Sequence, residues 1–188
     1  MKICSDVDGV ILDYLQGFID FTRREKISFS HDPEIWGVIR NFPNNEEVRD
    51  HFLRGDDLRK LNYFDDSLQI LNKLATHHEL HIVTALDPKH SQKRIDNLKE
   101  LNYDSLQCVG DYNKEKIIVD DIQPDVMLED RPELIEAFFN AGIRVLYPDW
   151  HLYTKGMDRF AIPFSNWLEI PELLKNYVYL GSLRSLNL

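Results

Sequence analysis

The sequence predicts a protein of the α/β class, in which a parallel sheet is flanked by helices and a small helical insertion follows the first strand. Short apolar runs alternate with stretches of helical periodicity, and one connection is much longer than the others. Such alternation is typical of a parallel sheet with right-handed crossovers. The chain has 188 residues, 43% of them hydrophobic, which is enough for one core and a modest appendage.

Five apolar runs are predicted to form the strands of this sheet. Each run is short and is bounded by polar or turn residues, as buried parallel strands are. In chain order the runs are Lys2 to Ser5, Leu80 to Val83, Leu106 to Val109, Val126 to Leu128 and Ile143 to Leu146.

Three amphipathic helices are predicted between these strands. Apolar residues recur with helical spacing after Asp66, a candidate helix cap, and again after Asp87 and Pro88. Pro132 stands where the first residue of a third helix is expected, and Gly142 suits its left-handed exit.

The connection between the first two predicted strands is more than seventy residues long, whereas every other crossover has about the length of a single helix. We therefore expect residues 14–61 to form a separate helical insertion, and residues 1–13 and 62–188 to form the core. The aromatic residues of the insertion favour a small core of its own over a ligand platform. Trp36 and Phe42 flank predicted turns and are the first candidates for stacking on a substrate.

Charge and composition exclude several classes of function. With 32 acidic and 22 basic residues, the formal net charge is -10, which disfavours long nucleic acid as a partner. No stretch approaches the ~20 apolar residues of a membrane span, and the amino terminus does not resemble a signal peptide, so we expect a cytoplasmic protein with no membrane partner. A phosphate ester is compatible with this charge because local donors and a metal ion outweigh the net field at short range.

Carboxylates follow two of the predicted strands. Asp6-Val7-Asp8-Gly9 comes directly after the first strand, and Glu129-Asp130 ends the fourth. An acidic turn alone would explain Asp-x-Asp-Gly. Because ligands bind at the carboxyl ends of parallel strands, however, the two segments together favour a metal site at that edge of the sheet.

Hydroxyl and ammonium groups are predicted at the same edge. Thr84 ends the second strand, and Lys114 and Lys116 follow the third, at the start of a helix that Asn113 is expected to cap. A phosphate dianion approaching a carboxylate to ~4 Å meets a repulsion of about 4 kcal/mol at an effective dielectric constant of ~20. Mg²⁺ held by carboxylates would neutralise this repulsion, while a lysine and a threonine would bind the remaining phosphoryl oxygens.

In this order, the motifs resemble the four-motif signature of the haloacid dehalogenase (HAD) superfamily, over residues 3 to 132. The resemblance implies a Rossmann-like core and an Mg²⁺-dependent phosphomonoester hydrolase that acts through an aspartyl-phosphate. It implies that Asp6 is the nucleophile and a metal ligand. It also implies that Asp8 is the general acid and base, and binds the metal mainly through its backbone carbonyl.

The same resemblance assigns the other motif residues. Thr84 would bind phosphate, and Glu129 and Asp130 would complete the metal ligands. The lysine role falls to Lys114 or Lys116; the first helical position favours Lys114, although the spacing does not decide between them.

A narrower resemblance is to the 5'(3')-deoxyribonucleotidases and their bacterial relatives. It rests on Asp6 to Val10, on Asp13-Tyr14, on Asp130-Arg131-Pro132 and on the insertion directly after the first strand. Two departures are Glu129, where those relatives usually have aspartate, and Ala85, where some have serine. This resemblance implies a small phosphomonoester substrate, namely a nucleoside monophosphate.

Two other functions are weighed against this one. The first keeps the enzyme class and changes the substrate to a sugar phosphate or another small phosphoester. The second is a non-enzymatic receiver-like signalling module, which also combines acidic residues, threonine and lysine at strand ends. A receiver takes its phosphate on an aspartate after a middle strand and has no insertion after the first, so the long first connection favours the enzyme.

Overall fold

The computed structural model describes residues 1–37, 45–111 and 113–175, in which six strands form one parallel sheet. The strands are β1 (Lys2–Ser5), β2 (Glu79–Thr84), β3 (Ser105–Cys108), β4 (Val126–Leu128), β5 (Arg144–Pro148) and β6 (Ile162–Phe164). Their spatial order is β3-β2-β1-β4-β5-β6, and every pairing is parallel. The predicted α/β class is therefore confirmed.

The sheet has one strand more than the five that the sequence predicts. β6 pairs with β5 through Leu146 and Ile162, Tyr147 and Pro163, and Pro148 and Phe164. The strand has only three residues, and its central proline has no amide hydrogen to donate. A proline is tolerated here because β6 lies at the edge of the sheet, but so short a run with a proline has no strand pattern in the sequence.

The described part of the chain contains six α-helices. They are α1 (Tyr14–Arg24), α2 (Asn45–Arg54), α3 (Ser67–Ala75), α4 (Ser91–Asn97), α5 (Lys114–Lys116) and α6 (Pro132–Asn140). α5 continues directly into a π-helical segment, Ile117–Ile122. None of the helices within the described ranges combines the length and apolar character needed to cross a membrane.

Of the residues predicted to begin, cap or end helices, some do so in the structure and others do not. Pro132 is the first residue of α6, and Gly142 beyond its end has a φ of +79°. Asp87 accepts a hydrogen bond from the Lys89 amide ahead of α4, as a cap does. Asp66 precedes α3 but has a φ of 64° and accepts no capping hydrogen bond, and Asn113 does not cap α5 with its side chain. The prediction of side-chain capping is wrong for these two residues.

Two hydrophobic layers lie on opposite faces of the sheet. Successive residues of a strand point to opposite faces, so Ile3 enters one cluster and Cys4 the other, and Leu128 and Met127 divide in the same way. The central strands are buried on both faces. Their carboxyl ends are therefore held rigidly at one edge of the sheet.

Helices α1 and α2 and a 3₁₀ turn at Asp57–Lys60 occupy the long connection. Phe52 packs its ring against Phe18 and Phe21, with ring centroids 5.3 Å apart in each pair. These aromatics belong to the same continuous cluster as Val7, which lies between the two aspartates of the first motif. The division of the chain into a core and a separate insertion stays a prediction.

Lys93 on α4 fastens this connection to the core. Its ammonium donates hydrogen bonds to the carbonyls of Leu53, Arg54 and Gly55 at 2.6, 2.5 and 2.8 Å. These carbonyls lie at the carboxyl end of α2, where helical carbonyls have no partner within the helix. A cation is favoured there by the helix dipole as well.

Replacing Lys93 by methionine is expected to loosen α2. Removing this half-buried charged donor is expected to lower the free energy of local opening by about 1.5 kcal/mol. This change corresponds to roughly tenfold faster exchange of the amide hydrogens. Hydrogen exchange of the amides in residues 45–60 measures this effect. Lys89→Met, which removes an exposed lysine from the turn directly ahead of α4, is the control. Equal exchange in both variants would contradict the prediction.

Candidate active site

The loop after β1 brings the first motif next to the fourth. β1 and β4 are neighbours in the sheet, and the Asp6 amide donates a hydrogen bond to the carbonyl of Leu128 at 2.9 Å. The amides of Ile11 and Leu12 donate to the carbonyl of Val7, which folds the loop back on itself. The pairing of the two strands thus sets Asp6 beside Glu129 and Asp130.

Three carboxylates converge at this point. Asp6, Glu129 and Asp130 offer oxygen atoms that lie within 4.8 Å of one another, and the three residues are 8%, 0% and 2% exposed. Burial raises the pKa values of Glu129 and Asp130 above their ordinary range, and the neighbouring carboxylate of Asp6 adds to both shifts. Buried carboxylates with raised pKa values are typical of functional sites.

Lys114 supplies the positive charge of the cluster. Its ammonium lies 2.8 Å from Asp6 Oδ2 and 2.7 Å from Glu129 Oε2, and the residue is 1% exposed. Burial opposes its charge, but Asp6 and Glu129 more than offset that effect, so the pKa of Lys114 lies above its ordinary value. Lys116, the other candidate, is exposed and lies outside the cluster.

The oxygens of Glu129 and Asp130 differ in their partners. Glu129 Oε1 accepts hydrogen bonds from the amides of Asp130 and Arg131, both at 3.1 Å, while Oε2 faces Lys114. Asp130 Oδ2 accepts a hydrogen bond from the Tyr153 hydroxyl at 2.5 Å. Asp130 Oδ1 is buried and has no hydrogen-bond partner among the described residues. A buried carboxylate oxygen without a donor fits a divalent cation, so the residues present suit Mg²⁺.

Asp8 is held by an arginine that the sequence does not single out. Both carboxylate oxygens of Asp8 accept hydrogen bonds from Nη2 of Arg94, at 2.7 and 2.6 Å, and Arg94 is fully buried. Burial raises the pKa of Asp8, and Arg94 opposes that rise. One signal for Arg94 was available: it stands four residues before Leu98 and seven before Leu101, on the apolar face of the predicted helix.

A cavity of about 460 Å³ opens above the cluster. Asp6, Asp8, Thr84 and Asp130 line its base, and Ala85 lies beside Thr84. Its other walls come from the long first connection and from the segment after β5, with these residues among them: Tyr14, His31, Trp36, Arg49, Trp150 and Tyr153.

Trp36 borders this cavity, as a stacking residue would. The guanidinium of Arg131, which follows the fourth motif, lies 4.3 Å from the centroid of its ring. Such a contact joins the long connection to the loop after β4. Phe42, the second candidate for stacking, lies outside the described residues.

Gly9 stands where a side chain has no room. Its φ is +85°, and an added Cβ would lie 2.2 Å from Asp130 Oδ2 and 3.4 Å from the Tyr153 hydroxyl. The fourth position of the loop after β1 thus admits only glycine for two reasons, the backbone conformation and the close approach of a carboxylate.

Gly9→Ala is expected to displace the carboxylate of Asp130 and to destabilise the fold by about 1–3 kcal/mol more than a matched control. Gly142→Ala is that control, because Gly142 shares the positive φ but has no atom within 4 Å of the added Cβ. Thermal unfolding of both variants gives the difference. Equal melting temperatures would mean that the close approach of Asp130 is not what makes a side chain at position 9 destabilising.

The comparisons with known proteins identify the fold. No family model and no curated protein matches the sequence. Among solved structures, a haloacid dehalogenase-like hydrolase from Streptococcus pneumoniae is 14% identical with a TM-score of 0.71, and the alignment covers 92% of this chain and 97% of that chain.

Two further solved structures were determined with bound ions. A HAD family hydrolase from Deinococcus radiodurans with bound phosphate and sodium is 12% identical, with a TM-score of 0.62 and coverage of 93% and 95%. A Bacillus subtilis protein assigned to the HAD hydrolases and bound to magnesium is 12% identical, with a TM-score of 0.63 and coverage of 92% and 97%. The chain therefore has the Rossmann-like fold of the HAD hydrolases.

Proposed function

We propose that this protein is an Mg²⁺-dependent phosphatase that transfers the phosphoryl group of a small phosphomonoester to Asp6. One observation carries the proposal: Asp6 and Asp130, which pack with Lys114 and Glu129 in one buried group, line the base of a cavity at the carboxyl ends of the strands, and Asp130 Oδ1 has no donor among the described residues. The fold shared with HAD hydrolases supports it.

In the first step, a carboxylate oxygen of Asp6 attacks phosphorus and the bond to the leaving oxygen breaks. Asp8 protonates that oxygen as it leaves. In the second step, Asp8 takes a proton from water, which attacks the aspartyl-phosphate. Inorganic phosphate is released and the Asp6 carboxylate is restored.

The surrounding residues orient these groups. Lys114, held between Asp6 and Glu129, keeps the Asp6 carboxylate in place and offers positive charge to the phosphoryl oxygens. Thr84 offers its hydroxyl from the end of β2. Asp6, Asp130 and the backbone carbonyl of Asp8, with Glu129 beside them, would hold Mg²⁺, which would neutralise the repulsion between carboxylate and phosphate and polarise a phosphoryl oxygen.

Arg94 is a positioning residue for Asp8 in this scheme. Its two hydrogen bonds hold the Asp8 carboxylate at the wall of the cavity. The pair lies between the core helix α4 and the loop after β1, so Asp8 has a defined place before any substrate enters. Preorganisation of this kind reduces the rearrangement that proton transfer requires.

We further propose a nucleoside monophosphate as the substrate. The cavity of about 460 Å³ lies within the range of small-molecule sites and exceeds what a phosphate alone needs. Tyr14, Trp36 and Trp150 line it, and aromatic faces of this kind stack on nucleobases.

A sugar phosphate is the second candidate. Asp13, Asp32, His31 and Arg49 also line the cavity and would hydrogen-bond to the hydroxyl groups of a sugar. These polar groups surround the region where the leaving group would lie. Their contacts with it would therefore help to determine whether a nucleoside or a sugar is bound.

A substrate panel tests both proposals. Purified protein with Mg²⁺ is expected to release phosphate from p-nitrophenyl phosphate, and with higher kcat/KM from nucleoside and deoxynucleoside monophosphates than from hexose or pentose phosphates. Chelation of divalent cations is expected to stop the reaction. Turnover of a sugar phosphate without turnover of any nucleotide would overturn the nucleotidase proposal and leave the phosphatase; no turnover of any phosphoester would overturn both.

A further inference from the structure

The segment after β5 contributes an uncharged hydrogen-bond donor, the hydroxyl of Tyr153, to the carboxylate cluster. Tyr153 donates its hydroxyl to Asp130 Oδ2 at 2.5 Å, a short hydrogen bond of the kind made to a charged acceptor. A phenol keeps its proton at neutral pH, so the hydroxyl is the donor in this pair.

The segment that carries Tyr153 is itself fixed. The hydroxyl of Thr154, which is 1% exposed, shares its single hydrogen between the carbonyls of His151 at 2.7 Å and Pro148 at 3.1 Å. His151 Nε2 donates to the Gly9 carbonyl at 2.7 Å, and the imidazole stacks on the Tyr153 ring at 4.8 Å and 12°. Tyr153 thus approaches Asp130 from a segment tied to the first motif.

Each carboxylate of the cluster has an oxygen engaged by the protein. Asp6 Oδ2 faces Lys114, Glu129 Oε1 accepts two amide hydrogen bonds, and Asp130 Oδ2 accepts from Tyr153. Of these donors, only the tyrosine hydroxyl can be removed by a substitution without changing the backbone or the net charge of the cluster.

We propose that Tyr153 determines which divalent cation the site accepts, by restricting Asp130 to a single coordinating oxygen. Mg²⁺ takes near-octahedral coordination from single oxygens, whereas Ca²⁺ takes six to eight ligands and readily binds both oxygens of a carboxylate. Oδ2 accepts a hydrogen bond from Tyr153, whereas Oδ1 has no hydrogen-bond partner among the described residues, so coordination is expected through Oδ1. The site therefore favours Mg²⁺ over Ca²⁺. This inference rests on the cation site of the proposed function.

Tyr153→Phe tests this role because it deletes the hydroxyl and keeps the ring that stacks on His151. Titration calorimetry of the metal-free full-length protein with MgCl₂ and, separately, with CaCl₂ gives both dissociation constants without any measurement of turnover. We expect Mg²⁺ binding to weaken about tenfold, as is typical when a donor to a metal-binding carboxylate is lost. The preference for Mg²⁺ over Ca²⁺ is expected to fall by at least the same factor.

Tyr63→Phe is the matched control. Its hydroxyl donates to the Asn97 carbonyl at 3.3 Å and touches none of the carboxylates in the cluster, so both dissociation constants should match those of the wild type. His151→Phe is the second variant. It keeps an aromatic ring but loses the hydrogen bond to Gly9, and is expected to shift the preference in the same direction, which keeps the test valid if Tyr153→Phe folds poorly.

The outcomes separate this inference from the proposed function. If the wild-type protein binds no Mg²⁺, the proposed cation site is overturned, and the selectivity role with it. If the wild type binds Mg²⁺ and both variants keep its preference over Ca²⁺, the role of Tyr153 is overturned while the proposed phosphatase stands. A fall in preference confined to Tyr153→Phe and His151→Phe supports the inference.

Discussion

Asp6→Asn is expected to lower the rate of phosphate release by a factor of about 10⁴ or more, the scale of loss seen when a catalytic nucleophile is removed. The amide has the size of the carboxylate but lacks the charged oxygen that would attack phosphorus. A colorimetric phosphate assay under saturating substrate measures kcat. In the wild type, acid quenching during turnover should trap phosphate on the peptide that contains Asp6, and in the variant that label should be absent.

Asp20→Asn is the control for this substitution. It makes the same chemical change on α1, where the Asp20 side chain is 56% exposed and pairs with Arg23. Its kcat should equal that of the wild type. Turnover by Asp6→Asn at the wild-type rate would remove Asp6 from the reaction.

Lys114→Met is expected to destabilise the protein by about 3–5 kcal/mol, because it leaves buried carboxylates without their counter-charge. Lys114 is the ion-pair partner of both Asp6 and Glu129, and no side chain in the described residues other than Lys114 forms an ion pair with either of them. Urea denaturation monitored by tryptophan fluorescence gives the free energy of unfolding. Phosphate release should also fall, since the variant lacks the cation beside the nucleophile.

Lys116→Met provides a control from the same helical turn. Lys116 is exposed, so its replacement should leave the unfolding midpoint and the turnover unchanged. The comparison also decides between the two lysines that the sequence offers for one role. A larger loss of activity in Lys116→Met than in Lys114→Met would reverse the assignment.

Much of the fold is predictable from local pattern. β1 and β4 have the bounds that their apolar runs predict, and α6 begins at Pro132. These elements are predictable because burial on both faces of a central parallel strand requires a continuous apolar run, and because proline suits a first helical turn. β6 lacks such a signal, since its pairing depends on the neighbouring edge of β5.

The candidate site is predictable in part for the same reason. Thr84 ends a strand and the four acidic residues follow strands, and the carboxyl ends of parallel strands share one edge. Thr84 and the carboxylates all lie at that edge, around the base of one cavity or directly beneath it. Their roles in the reaction remain predictions that the substitutions above would test.

The sequence by itself determined the class of fold and the strand ends that carry acidic residues, and it led to the reaction that is proposed for them. Only the tertiary structure decided that Lys114 points inward while Lys116 does not, that Arg94 holds Asp8, and that Tyr153 holds Asp130. The physical reason is that periodicity reports which face of an element is buried, whereas the partner of a buried charge is chosen by packing between elements far apart in the chain. Arg94 and Asp8 are separated by 86 residues, and no local pattern connects them.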